Sequence, residues 1–140
     1  PLIVLNGGQA FVRRPSPGRR ARDARRVARL LPQGAGFVLL GYDLSSPAYD
    51  LSSPADAALD RIVADVARIV EAEFGAAKLV GISYGGIVGL RLAAAHPHLV
   101  TDLVLLASAH DFSAEGRLRI ERQIAFAEAW NFAALLDDYA

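Results

Sequence analysis

Ser83 stands in the stretch Gly81-Ile82-Ser83-Tyr84-Gly85-Gly86, where one apolar run ends and another begins. A serine hydroxyl is a poor nucleophile at neutral pH. It becomes useful when it is lifted clear of the backbone and set beside N–H groups that can hold a developing oxyanion. The spacing G-x-S-x-G suits such a turn. Passing from strand to helix within one residue forces the serine into a strained conformation. Side chains two positions before and after it would then collide, so Gly81 and Gly85 are expected to relieve those contacts. The strain raises the hydroxyl close to the amino end of the next helix, whose dipole and free N–H groups favour negative charge. The N–H of Tyr84 is the natural first oxyanion donor. A second must come from elsewhere, and Leu5-Asn6-Gly7-Gly8-Gln9 offers one after the first apolar run.

These groups need elements to position them. Residues 2–6 are short, β-branched and apolar on both sides, as in a strand buried within a parallel sheet. Helical spacing of Ala24, Val27, Ala28 and Leu31 predicts a helix over 18–31, ended by Pro32. A second buried strand is predicted over 36–43, followed by a loop in which YDLSSPA occurs twice, at 42–48 and 49–55. Ser53, Pro54 and Asp56 mark a helix start, and the repeat of Leu59, Ile62, Val63, Val66, Ile69 and Val70 carries that helix to Phe74, with Gly75 as the stop.

Residues 77–82 form a third strand and 84–95 a helix so apolar that it must be buried; 102–108 is a fourth strand. Ser113 can cap a last helix with Ile120, Ile124, Ala127 and Trp130 in one stripe, and Asn131 can restart it. Strand and helix alternate throughout, which predicts an α/β architecture with a parallel sheet and right-handed crossovers. Ligands gather beyond the carboxyl ends of such strands, and both glycine clusters fall there.

The order of these features resembles the α/β-hydrolase family, and the resemblance covers nearly all 140 residues. It implies a three-layer αβα sandwich. In that family a His-Gly-X segment after an early strand supplies an oxyanion N–H. Asn6 stands in the histidine position and Gly8 in the X position, so the resemblance implies Gly8 and Tyr84 as the two donors and Ser83 as nucleophile. GFVLLGYDL resembles the family's strand ending in aspartate, with the duplicated DLSSPA loop in place of the usual Arg-Gly-His-Gly-x-Ser continuation. HPHLVTDLVLLAS resembles its segment of helix end, proline and strand. SAEGRLRIERQIAFAEAW resembles the start of its helical cap, which divides the chain into core residues 1–112 and cap residues 113–140.

The implied activity is hydrolysis of an ester or related acyl bond of a small-molecule substrate through an acyl-serine, without metal or organic cofactor. Peptidase, acyltransferase and cofactor-free haloperoxidase are alternatives within the family, and a non-catalytic ligand- or partner-binding protein of the same fold is the alternative outside it. In the family, the catalytic acid and histidine follow the serine in late loops. The resemblance therefore implies a fragment, inactive alone, with those partners and the first strands beyond residues 1–140. Asp111 is the nearest candidate for the acid and His110 for the base; His96 and His98 flank a proline at a helix exit and read as surface residues.

Composition narrows the field further. There is no cysteine, so disulfides and thiol catalysis are excluded, and a reducing cytoplasm is the expected setting. Formal net charge is +0, which gives no general reason to expect nucleic acid or a membrane as partner. No apolar run approaches the roughly 18 residues of a membrane span. Residues 13–29 hold eight arginines against Asp23 alone, read here as the solvated face of an amphipathic helix. Neither glycine cluster has the spacing that cradles phosphate.

Overall fold

The computed structural model describes residues 1–7, 16–41, 55–109 and 111–139, without the side chains of 55–57 and 139. Gly8, His110 and nearly all of the duplicated loop, with the Ser53-Pro54 helix start, lie outside the described residues. Two compact units are present, Pro1–Ala109 and His110–Ala140.

The first unit is built on four strands, β1 (Leu2–Leu5), β2 (Val38–Leu40), β3 (Ala77–Ile82) and β4 (Val100–Leu106). They form one sheet in the order β2-β1-β3-β4, and every neighbouring pair is parallel. Parallel neighbours cannot be joined by a hairpin, so a helix lies in each connection: α1 (Pro17–Ala28), α2 (Ala55–Phe74) and α3 (Tyr84–Ala95). From β1 the chain steps to one side to make β2. It then crosses back over β1 to β3 and continues to β4. Right-handed crossovers in opposite directions put their helices on opposite faces. Accordingly, α2 and α3 share one core with Leu5, Ile62, Val66, Leu79 and Leu92, while Val27 of α1 meets Val4 and Val80 on the other face.

Local sequence accounts for most of the boundaries. Ser16 Oγ accepts the N–H of Arg19 at 3.3 Å, and Pro17 opens α1. That helix closes three residues before the expected position, through tight bonds from Arg29 N–H to Arg26 and from Leu30 N–H to Val27. Its arginines are exposed and only Val27 is buried. Gly75 takes φ 71° and donates to the Glu71 carbonyl at 3.3 Å, ending α2 as expected. The limits of β3 and α3 fall where the sequence places them.

The two outer strands depart from expectation. β2 spans Val38–Leu40 within the predicted 36–43, of which 42 and 43 lie outside the described residues, and β4 runs Val100–Leu106 rather than 102–108, with Val104 50% exposed. Among the described residues both are edges of the sheet. Among the described residues, β4 packs against α3 through Leu103 and Leu105, while Val104 and Leu106 alternate to the opposite side. An apolar pattern reports what a strand could bury, whereas an edge position decides how much of it is covered. The helix α3 is also less enclosed than its composition suggests: Gly85, Gly86, Val88, Gly89 and Leu92 are buried, but Arg91, Ala94 and Ala95 are exposed.

The second unit is a helical hairpin of α4 (Ala114–Glu128) and α5 (Phe132–Tyr139). Ser113 Oγ accepts the Gly116 N–H at 3.1 Å, and Asn131 Oδ1 accepts the Ala134 N–H at 3.2 Å, as those residues' cap roles predict. Of the predicted apolar stripe only Ile120 is covered. Trp130 is 79% exposed and Ile124 is exposed, while Ile120, Gln123 and Phe126 are half-buried along with Ala134, Leu135 and Asp138.

A polar anchor within this hairpin is the physical reason. Asp138, with a side chain only 11% exposed, receives Arg122 Nε at 2.7 Å and Gln123 Nε2 at 2.9 Å, and pairs with Arg119. Removal from water pulls its carboxyl upward. The hydrogen bonds from Gln123 and Arg122 and the charges of Arg122 and Arg119 outweigh that pull and hold it below the ordinary 3.8. A carboxylate whose folded value is depressed stabilises the fold above its unfolded value and loses that contribution as pH falls through the folded one. The helicity of the hairpin should therefore fall as the solution is acidified below about pH 4. Asp138→Asn should be less stable at neutral pH and flatter in an acid titration followed by circular dichroism. Superimposable acid limbs for the two proteins would remove Asp138 as the cause.

Candidate active site

The carboxyl ends of β1 and β3 lie side by side, with Leu5 in register with Gly81. The chain leaves them in opposite directions, because β2 lies beyond β1 and β4 beyond β3. A crevice opens where connections diverge in this way, and it is the general ligand position of an open parallel sheet. Asn6-Gly7 follows β1 at that point and Ser83 follows β3.

Ser83 has φ 52° and ψ −120°, a conformation costly to any residue with a Cβ. It occupies the position preceding the first turn of α3, where a serine ordinarily turns its hydroxyl onto the helix. Here it makes no capping bond, and the residue is exposed. No described residue hydrogen-bonds to its hydroxyl.

The strain is held from several sides. The Ser83 N–H donates to the Leu106 carbonyl at 2.9 Å, and its own carbonyl accepts the Gly86 N–H at 2.9 Å. A Cβ on Gly81 would lie 2.5 Å from Gly86 Cα and 2.7 Å from the Gly85 carbonyl oxygen. A Cβ on Gly85 would run into the carbonyl of Leu5 and come within 2.6 Å of the Asn6 oxygen. Gly81 thus stands in backbone contact with the turn, and Gly85 in backbone contact with the end of β1.

The segment after β1 reaches Ser83 through Gly7. A Cβ there would be 3.2 Å from Ser83 Cβ and 3.3 Å from the Ile82 carbonyl oxygen, while Asn6 Oδ1 accepts the Gly7 N–H at 2.9 Å. Gly8 itself lies outside the described residues. Tyr84 begins α3, and burial pushes its phenol above the ordinary 10.0, so it stays protonated at neutral pH and packs against the core. Its backbone N–H lies at the amino end of the helix.

His96 and His98, paired edge to face at 6.2 Å, follow the far end of α3, about 18 Å along its axis from Ser83. Asp111 belongs to the second unit, where it accepts from Phe112 N–H at 2.8 Å and pairs with Arg117 at 2.7 Å. His110 lies outside the described residues. Among those described, no group of three histidine, aspartate or glutamate side chains is placed to hold a metal ion, and no helix is long and apolar enough to cross a membrane.

Two participants were not visible in the sequence pattern. One is Leu106, through its carbonyl. The other is the Gly86–Ser108 contact, where a Cβ on Gly86 would overlap both the Cβ and the Oγ of Ser108. The doubled glycine and the small pair Ala107-Ser108 after β4 were the available signals. Linking them needs the register of β3 with β4.

Comparison with known proteins matches residues 21–138 to a family described as alpha/beta hydrolase fold. A protein of Streptomyces coelicolor (strain ATCC BAA-471 / A3(2) / M145) named "Probable proline iminopeptidase" is 38% identical over 120 residues, covering 82% of this chain and 35% of its own length. The chain thus spans about a third of the length of that curated relative.

Proposed function

The chain belongs to the α/β-hydrolase fold family, and from that premise we propose that it carries the nucleophile of a serine hydrolase, with Ser83 attacking the carbonyl carbon of an acyl substrate. The observation that carries the reading is the conformation of Ser83, a residue with a Cβ at φ 52°, ψ −120° whose hydroxyl is spared from capping. Strain of this kind persists only where surrounding contacts enforce it, and it gathers at active sites, ligand clamps and switches rather than in plain strand-to-helix bends. An exposed hydroxyl left free of capping is what an attacking atom needs and a ligand clamp does not, which is the ground for preferring an enzyme over a non-catalytic binder of the same fold.

In the proposed reaction, Ser83 Oγ forms a bond to the carbonyl carbon and its proton passes to a general base. The electron pair displaced onto the carbonyl oxygen is held by the N–H groups of Tyr84 and Gly8. Collapse of the tetrahedral species expels the alcohol or amine with a proton, leaving an acyl-serine. Water then repeats the sequence and frees the acid. The base and the carboxylate that orients it are roles that Ser83, Gly8 and Tyr84 do not fill.

The first substrate reading is a small carboxylic ester. A peptidase reading is favoured by one finding, the name of the Streptomyces relative. Turnover of a short p-nitrophenyl ester against a prolyl arylamide separates the two, since preference for the amide would replace the ester reading. The nucleophile is tested on the full-length natural polypeptide with a serine-reactive fluorophosphonate. Wild type should label and Ser83→Ala should not; equal labelling of both would remove Ser83 from the role.

A further inference from the structure

We propose that Ser108, which follows β4, is a positioning residue that clamps the Ser83 turn in its strained conformation; this rests on the reading of Ser83 as nucleophile. Three observations converge on it. The chain leaving β4 touches the turn at two points, first where the Leu106 carbonyl accepts the Ser83 N–H at 2.9 Å and then where Ser108 presses on Gly86. Between them, Ala107 takes φ 49°, a left-handed conformation unfavourable for a residue with a Cβ. Finally, Ser108 Oγ is buried without a hydrogen-bond partner among the described residues.

Each feature is unfavourable to stability alone. A strained alanine and an orphaned hydroxyl are ordinarily removed unless the geometry they produce is needed. Their combined effect is geometric. The Ser83 N–H is tied to Leu106, its carbonyl is tied to the Gly86 N–H, and Gly86 is backed by Ser108 two residues beyond Leu106. The peptide on each side of Ser83 is thereby anchored to one short segment. The turn cannot relax toward an ordinary helix cap without displacing Ser108. Gly86 is part of the same device, because any side chain there would occupy the space that Ser108 fills.

The clamp predicts a change in nucleophile reactivity at constant probe affinity. The measurement is the fluorophosphonate inactivation rate constant and half-saturation concentration in the full-length natural polypeptide, with thermal unfolding followed in parallel. Ser108→Gly should lower the limiting rate constant about tenfold, with the half-saturation concentration and the pH midpoint of labelling unchanged. Ser108→Ala retains the Cβ contact and should stay within about threefold of wild type, with Tm unchanged or raised because the orphaned hydroxyl is gone. Gly86→Ala should lose at least about a hundredfold in labelling rate, and adding Ser108→Gly to it should restore at least about tenfold.

Wild-type labelling kinetics in Ser108→Gly, or no recovery in the double variant, would overturn the clamp. A fall in rate that merely tracks a lowered Tm across all variants would overturn it as well. If these variants label like wild type while Ser83→Ala does not label, only the clamp is lost. If Ser83→Ala labels normally, the nucleophile reading itself fails.

Discussion

With Ser83 as the proposed nucleophile, replacing it with glycine should lower turnover by about 10⁴-fold or more while raising the stability of the fold by about 1 kcal/mol. The two effects have separate origins. Loss of the hydroxyl removes the attacking atom, and serine hydrolases deprived of their nucleophile retain only what oxyanion donors and binding supply. The gain arises because φ 52° and ψ −120° are costly to a residue with a Cβ and cheap for glycine. Relief of about 1–3 kcal/mol of strain is partly offset by glycine's greater freedom in the unfolded chain, about 0.5–1 kcal/mol.

Ser83→Ala provides the control. It loses the hydroxyl but keeps the Cβ, so it should be as inactive as the glycine variant with no comparable gain in stability. Chemical denaturation and turnover measured on all three proteins decide the matter. A glycine variant less stable than the alanine variant would mean that Ser83 is not strained.

The largest expected effect on folding is that of Gly85→Ala, on the order of 4 kcal/mol. The added Cβ would meet the carbonyls of Leu5 and Asn6, which are backbone atoms of the neighbouring strand end and cannot rotate away. To make room, α3 must lift from the sheet, taking Val88 and Leu92 partly out of the core. Since whole domains are stable by only about 5–15 kcal/mol, a loss of this size brings the protein close to unfolding at ordinary temperature.

Gly89→Ala, one turn further along α3, is the informative contrast. There the nearest atom to an added Cβ is Leu103 Cδ1 at 3.0 Å, the end of a movable side chain. Alanine is also the better helix former by about 1 kcal/mol, so the net change should be small. Thermal unfolding should separate the two variants by more than 10 °C. Similar midpoints would show that backbone contact at Gly85 does not govern the packing of α3.

Much of the positioning apparatus was legible in sequence because it is local. Strand-to-helix succession, the stop at Gly75 and the Ser113 and Asn131 caps depend on residues within a few positions of one another. Gly81 and Gly85 were legible for the same reason. Their spacing about Ser83 marks the turn, and the contacts of Gly81 lie within it, whereas those of Gly85 are with Leu5 and Asn6 and depend on the pairing of β1 with β3. The covered stripe of α4 was not, because hydrophobic spacing marks Ile124 and Trp130 as readily as Phe126, and only the charged anchor at Asp138 selects the face that meets α5.

The sequence by itself determined an alternating α/β chain with a serine raised on a glycine-flanked turn, since backbone sterics and hydrophobic period act at short range. Tertiary structure alone decided that β1 lies between β2 and β3, which sets Asn6-Gly7 beside Ser83 across some seventy-five residues of chain. It also decided that β4 delivers Leu106 and Ser108 to the same turn. Strand order and register are cooperative properties of the whole sheet. No stretch of residues encodes them separately, so the contacts that bring Gly7, Leu106 and Ser108 to the Ser83 turn exist only once β1, β3 and β4 have paired.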